Sequence, residues 1–496
     1  MLSFAAASGG NTAPASPPFA QVTCCLSSLP LDLKRYLAEH VHALDVHEKA
    51  SFEARHERWR PRTGSTVGAF RLVSKEWAEV CEEWIWRDIS LENRPLSNLF
   101  PLLRDVLPSK AGFLRSLRWT QSPPDAYNSQ RAAQNPLAIP ALVADLVTQS
   151  PLLSQIHLDP LWACPRTAHP LTSPVGSSRR VRLAADEAWK KAWVAACLPI
   201  YRALEDSARQ GRVQHLYIGG DLEDEAFTSA LVDLYGACRD GNKLRSLVIN
   251  PDVTSSAPNS PNYQSSLQGD RYRAFLQSYF DLPLLESLEI WSPLPNYVAQ
   301  LPTNWPNLRR LLLDCTGPED PVAFLDFLRP LSATLTHLEL YSMPREAFFE
   351  TFPLSSASPT APPIAPANPA AFLYFPNLVS LILGSPYRRT PLPYFSFSPS
   401  SSSPSSSPQP LSLSLKWCRA AAVSEVLDFI ETHQDRLRFG NGVRTTCSDD
   451  HEVPFPRAER NLGAVEVEEL RRQCEAYGVR FKVWTDSDDE EEEDEE

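Results

Sequence analysis

Eight times between residues 114 and 383 the chain repeats one short phrase: an apolar residue, two variable ones, an apolar one, one variable, an apolar one. It stands as LRSLRW from Leu114, LSQIHL from Leu153, VQHLYI from Val213, LRSLVI from Leu244, LESLEI from Leu285, LRRLLL from Leu308, LTHLEL from Leu335 and LVSLIL from Leu378. In a strand, alternating residues share a face, so in LESLEI the pair Leu288 and Ile290 points inward while Ser287, Glu289 and Trp291 point outward. Leu285 turns in just before the strand. Between the phrases lie helix-like stretches, DEAFTSALVDLYGAC, RYRAFLQSYF, PVAFLDFLRPL and AAAVSEVLDFIETHQDRL. Strand then helix, repeated, predicts an α/β chain built as a curved leucine-rich solenoid with a parallel sheet.

The repeat is degenerate. Successive phrases start 23 residues apart at the closest, Leu285 to Leu308, and 60 at the widest, Leu153 to Val213, which implies long insertions. Ser/Pro-rich stretches at 355–370 and 396–410 bracket LVSLIL and read as disordered loops on one edge of the solenoid. No asparagine ladder is expected to close the turns: Asn250 follows LRSLVI directly, and Cys315 and Thr316 follow LRRLLL. EVEELRRQCEAYG followed by VRFKVW, in which Val479, Phe481 and Val483 alternate with polar neighbours, predicts a last helix and edge strand that end the repeat domain at residue 484.

Charge narrows the function classes once it is located. The formal net charge is −13, but Asp486–Glu496 holds ten acidic residues, and without them the chain carries only −3. A nearly neutral folded part has no long-range field for phosphates, which argues against nucleic-acid binding. The tail 485–496 reads as a solvated segment in which Ser487, followed by acidic residues, could accept phosphate. The ten cysteines show no C-x-x-C pairing and read as reduced, mostly buried thiols. Residues 1–25 form a small-residue, proline-containing leader with no basic n-region or apolar h-region, and no stretch approaches the ~20 apolar residues of a membrane span. A cytoplasmic or nuclear address is expected.

The remaining apolar periodicity is N-terminal. LSSLPLDLKRYLAEHV places Leu29, Leu33, Leu37 and Val41 four residues apart, a helical stripe, and AFRLVSKEWAEVCEEWIWRDISL carries Phe70, Val73, Trp77, Val80, Trp84 and Ile85 at three- and four-residue steps, a second helix ending near Trp86. Two short helices with this much aromatic surface need a partner or a following domain to cover it.

Leu29, Pro30, Leu33 and Leu37 in LPLDLKRYL, then Phe70, Leu72, Val73, Ser74, Lys75 and Trp77 in FRLVSKEW, then Ile85 and Trp86 in IWRDISL, resemble the F-box motif. The likeness spans residues 26–91 and, loosely, 110–484, because fungal F-box proteins commonly join such a motif to irregular leucine-rich repeats. The chain departs from the family in an insert at 45–67, from Asp45 to Val67, longer than the usual connection between the helices. The resemblance implies a substrate-recruiting subunit of a Skp-cullin-F-box type ubiquitin ligase. Leu29, Pro30, Leu33, Leu37, Leu72, Val73, Trp77, Ile85 and Trp86 would dock on a Skp-type adaptor, and the repeats would choose a substrate protein. The alternative is a leucine-rich scaffold for protein–protein interaction with no ligase association.

Strand alternation places the substrate surface on the concave face: His215 and Tyr217, Val248 and Asn250, Glu289 and Trp291, Arg310 and Asp314, then His337, Glu339 and Tyr341. Trp291, Arg310 and Tyr341 are the expected anchors, since aromatics beside mixed charges suit a protein-binding hot spot. No catalytic or cofactor motif is found: no G-x-S-x-G, no G-x-x-x-x-G-K-[ST], no G-x-G-x-x-G, no H-E-x-x-H. The chain is therefore expected to be non-enzymatic and to need no cofactor. His40, His42, His47 and His56, with Cys24 and Cys25 upstream, lack the paired spacing of a tetrahedral metal site and read as polar-face residues.

Overall fold

A computed structural model describes residues 29–54, 72–92, 94, 96–119, 136–159, 179–221, 225–252, 270–291, 303–314, 321–341, 373–384, 392, 395–397, 409–416, 423–446, 462 and 464–484. Phe70, the leader 1–25, the loop 355–370 and the tail 485–496 lie outside them. The chain divides into two compact units, Met1–Ile85 and Trp86–Glu496.

The second unit is an α/β structure around an open, twelve-stranded parallel sheet whose strands follow one another in chain order. They are β1 Asp88–Ser90, β2 Ser116–Trp119, β3 Gln155–Leu158, β4 His215–Asp221, β5 Ser246–Asp252, β6 Ser287–Ile290, β7 Arg310–Asp314, β8 His337–Tyr341, β10 Ser380–Gly384, β12 Ser412–Lys416, β13 Gly442–Thr446 and β14 Phe481–Trp484, with β9 Leu373–Tyr374 and β11 Phe395–Ser396 forming a separate parallel pair. Each of the eight phrases lies on its own strand. Trp86–Leu91 belongs to this unit through β1, which pairs with β2, so residues grouped with the F-box-like segment in the sequence reading open the sheet.

Backbone hydrogen bonds copy themselves from strand to strand. The carbonyl one residue after the phrase's first apolar position accepts two successive amides of the next phrase: Arg115 from Ser154 and Gln155, Ser154 from Gln214 and His215, Gln214 from Arg245 and Ser246, Arg245 from Glu286 and Ser287, Glu286 from Arg309 and Arg310, Arg309 from Thr336 and His337, Thr336 from Val379 and Ser380. A turn precedes the strand in the same register, with the amides of Leu114, Leu153, Leu285 and Leu308 donating three residues back. That turn swings the leading leucine inward, and all eight leading residues are buried. Three buried apolar side chains per phrase, aliphatic in all but LRSLRW, contribute roughly 5–8 kcal/mol of transfer free energy, set against the ordering entropy of the strand.

No asparagine ladder runs through the described residues, but two asparagines bond across neighbouring repeats. Asn307 donates through Nδ2 to the Pro283 carbonyl at 2.9 Å, and Asn377 to the Ala333 carbonyl at 2.7 Å. Both asparagines sit one residue before the leading leucine, and both carbonyls two residues before the leading leucine of the preceding phrase, so these are two separate bonds at the start of the strand, with Thr334 at the same position of the phrase between them.

Among the described residues ten α-helices occur: α1 Leu31–Ala54, α2 Lys75–Arg87, α3 Leu96–Pro101, α4 Ile139–Gln149, α5 Arg179–Arg209, α6 Glu225–Gly241, α7 Asp270–Phe280, α8 Pro321–Leu328, α9 Val423–Phe439 and α10 Ala464–Ala476. Residues of α4 to α10 and the inward residues of the strands form one continuous core. The 31-residue α5 and the strands β12 and β13 were not expected. Phe397, placed in the 396–410 loop, is 2% exposed and packs against Phe375, Phe395 and Phe429, so the start of that stretch is core.

Candidate protein-binding surfaces

The first unit folds because Ser74 caps α2, its hydroxyl accepting from the Trp77 amide at 3.2 Å. Its small core is Ala38, Trp77 and Cys81, with Leu29, Leu37, Val41, Val80, Trp84 and Ile85 packed around it. Lys34 is buried in the same face and pairs with Glu76. The buried row of α1 is thus Lys34, Leu37, Ala38 and Val41, which corrects the expected stripe. A run of four-residue steps rotates about 40° per step and slides off a straight face, so Leu33 falls outside it. The helix also continues to Ala54, so the first ten residues of the insert at 45–67 are helical.

The nine residues assigned to adaptor docking therefore separate. Trp77 is fully buried, and Leu29, Leu37 and Ile85 line the small core, while Trp86 packs on the core of the sheet unit. Trp77 cannot touch a partner while the unit is folded, because it forms the centre of the helix pair. Pro30, Leu33, Leu72 and Val73 are exposed, the last three at 49%, 86% and 45%. Leu31, Tyr36 and Leu44 add exposed apolar surface along α1, where the Tyr36 ring stacks on His40. His42 contacts the Trp84 ring rather than standing in solvent.

In the sheet unit, parity places the outward residues as expected, but they differ in freedom. On β2 to β5 they are tied together. Arg118 donates to Glu92 at 2.8 Å, the His157 and Tyr217 rings lie 3.9 Å apart, and the Tyr217 hydroxyl accepts from Asn250 at 2.9 Å and sits 3.5 Å from the buried Asp159 carboxylate. Burial, aided by Arg118, brings His157 down to about 4, and burial takes the Tyr217 hydroxyl up to about 12. Tyr217 is a fixed member of a polar network. Arg118, His157 and Asp159 were missed by the sequence reading, although the same alternation in LRSLRW and LSQIHL marks Arg118 and His157 as outward.

On β6 to β8 the outward residues are less constrained. Trp291 is 39% exposed and neighbours Glu289, whose carboxyl is raised by burial and by the nearby Glu339. Arg310 and His337 are exposed, and burial and Arg310 hold His337 below the usual imidazole range. Asp314 ends β7 opposite Tyr341. Tyr341 corrects an expectation: it is 9% exposed, because its ring lies across Gly384 on β10, where a Cβ would come within 2.2 Å of the ring. It is part of the packed sheet and presents little surface to a partner. A groove of about 610 Å³ runs along the starts of β7, β8, β10 and β12 past Asn307, Arg309, Thr336, Asn377 and Gln409.

Among the described residues no group of three or more His, Cys, Asp or Glu side chains is placed to hold a metal ion, and no helix is long and apolar enough to cross a membrane. Compared with known proteins, the chain matches no family model and no curated protein sequence.

Proposed function

We propose that the chain recruits a substrate protein to a Skp-cullin-F-box type ubiquitin ligase. In this reading α1 and α2 are an F-box-like pair that takes a Skp-type adaptor, and the sheet unit is an irregular leucine-rich-repeat solenoid whose outward strand face takes the substrate. The observation that carries it is the exposure of Leu33, Leu72 and Val73: motif residues that a soluble helix pair would hide stand in solvent instead, while Leu29, Leu37, Trp77 and Ile85 build the pair. Burying Leu33 and Leu72 in an adaptor groove is worth roughly 1.5–3 kcal/mol each. The copied hydrogen bonds at successive strand junctions support the repeat half of the reading.

The test is co-purification of the full chain with a Skp-type adaptor. Leu33→Glu with Leu72→Asp should abolish the complex and leave the melting temperature unchanged, since both side chains are exposed. Failure of the unaltered chain to hold the adaptor, or equal binding by the double variant, refutes the ligase assignment.

A further inference from the structure

One outward row of the sheet alternates aliphatic and acidic side chains strand by strand: Val248 on β5, Glu289 on β6, Leu312 on β7, Glu339 on β8 and Ile382 on β10, each the register partner of the next. All five are half-buried. Exposed Trp291 flanks the row beside Glu289. The neighbouring outward positions hold Arg310, His337 and Asp314. Among the described residues no cation makes an ion pair with Glu289 or Glu339; Arg310 acts on Glu289 from the neighbouring position, and the row's own basic residues, Arg444 and Lys482, stand farther along on β13 and β14.

The spacing selects the shape of a complementary chain. Glu289 and Glu339 are two strands apart, about 10 Å. An extended segment repeats side chains on one face at about 7 and 14 Å, which misses that interval. A helix repeats them at about 10.5 Å for residues seven apart, with the residue three or four along facing the midpoint. The midpoint here is Leu312, and Val248 and Ile382 continue the apolar contact on either side.

Resting on the substrate-recruiting reading above, we propose that this row docks a basic amphipathic helix of the recruited protein, lying across the strands with lysine or arginine seven residues apart on Glu289 and Glu339 and an aliphatic side chain between them on Leu312. Such a helix removes the carboxylate–carboxylate repulsion and covers the three aliphatics and Trp291 together.

The probe is a labelled helical peptide of about five turns with lysines at i and i+7 and leucines at i−4, i+3, i+4 and i+11. A control peptide of the same composition has the lysines moved to the opposite face. Anisotropy is read with the full chain at about 0.15 M salt, where long-range attraction is screened. The patterned peptide should bind, the control should bind about tenfold more weakly, and Glu289→Gln with Glu339→Gln should cost a further factor of about ten or more. Equal binding of both peptides, no binding at all, or binding that survives the double substitution but disappears when Asp486–Glu496 is deleted overturns the proposal, the last outcome assigning the attraction to the acidic tail. Adaptor co-purification of the Glu289/Glu339 variant is read in parallel. It stays intact if only the docking strip is wrong, and it is absent from the unaltered chain if the ligase reading is.

Discussion

Arg436 tests how the segments before β10, after β11 and before β12 are held together. Its side chain is 6% exposed and makes three hydrogen bonds to carbonyls from separate segments: Nε to Gln409 at 2.9 Å, Nη1 to Phe397 at 2.5 Å and Nη2 to Leu378 at 2.7 Å. Its guanidinium also lies 5.8 Å from the Phe397 ring centroid. No carboxylate among the described residues pairs with it; the carbonyls carry the burial of the charge, and burial pulls its pKa down. Arg436→Leu deletes three charge-assisted bonds, each worth about 1.5–3 kcal/mol, and strands two buried carbonyls. Relief from desolvating the guanidinium offsets part of that sum. The expected net loss is about 3–5 kcal/mol, a large share of the ~5–15 kcal/mol that holds a domain together. Arg436→Lys keeps the charge but not the fork, and should recover less than half. Denaturant unfolding followed by circular dichroism measures the loss. Limited proteolysis locates it, because Phe397 and Gln409 bracket residues 398–408 and cleavage there should accelerate. A loss below about 1 kcal/mol for Arg436→Leu would refute the argument, since three buried bonds cannot then be contributing at these magnitudes.

Gly384→Ala forces the Tyr341 ring aside and should cost about 1–3 kcal/mol, whereas Gly384→Ala with Tyr341→Ala should cost less than the two single losses added, as a double-mutant cycle would register. Burial holds His157 and His433 at about 4, below the ordinary 6.5, so each favours the folded state fully above pH 6.5 and loses that contribution as pH falls through 4, by up to roughly 3 kcal/mol. Melting temperature against pH should fall across that window, with a shallower slope for His433→Phe; identical slopes would exclude His433 as a source. Deleting Asp486–Glu496 should leave the melting temperature within about one degree, because a run of like charges buries no apolar surface. A drop of several degrees would mean the tail docks.

The strands were legible where the phrase was complete. Leu285, Leu288 and Ile290 announce β6 because the leading leucine, the turn and the alternation all fall within six residues. β12 lacks the lead: Leu411, Leu413 and Leu415 alternate, but in serine-rich surroundings that resemble a loop. β13 faces the core with one apolar residue, Val443, and the buried Thr445. α5 carries Pro199 inside it, a residue that reads as a helix breaker. The two asparagine bonds are legible only before the strand, in the repeated Pro-Asn-Leu at 306–308 and 376–378, and not in the residues that follow it.

The surfaces were less legible than the elements that carry them, and the reason is physical. Parity fixes which way a strand residue points, and it holds for Glu289, Trp291 and Glu339. Exposure depends on the residue opposite, which lies on another strand dozens of positions away. Tyr341 points outward by parity and is buried only because its register partner on β10 is Gly384, the one residue type whose lack of a side chain leaves room for an aromatic ring. A similar dependence acts in the helix pair, where the buried Lys34 has its counter-charge in Glu76 of α2, more than forty positions away. If the pair docks an adaptor as proposed, its motif residues do two jobs that the sequence cannot separate. Trp77 is the centre of the pair and Leu72 is its most exposed apolar side chain, so substitutions at Trp77 report on folding and substitutions at Leu33 and Leu72 report on docking. An adaptor-binding experiment built on Trp77 would lose binding whichever function the unit has; one built on Leu33 and Leu72 distinguishes them.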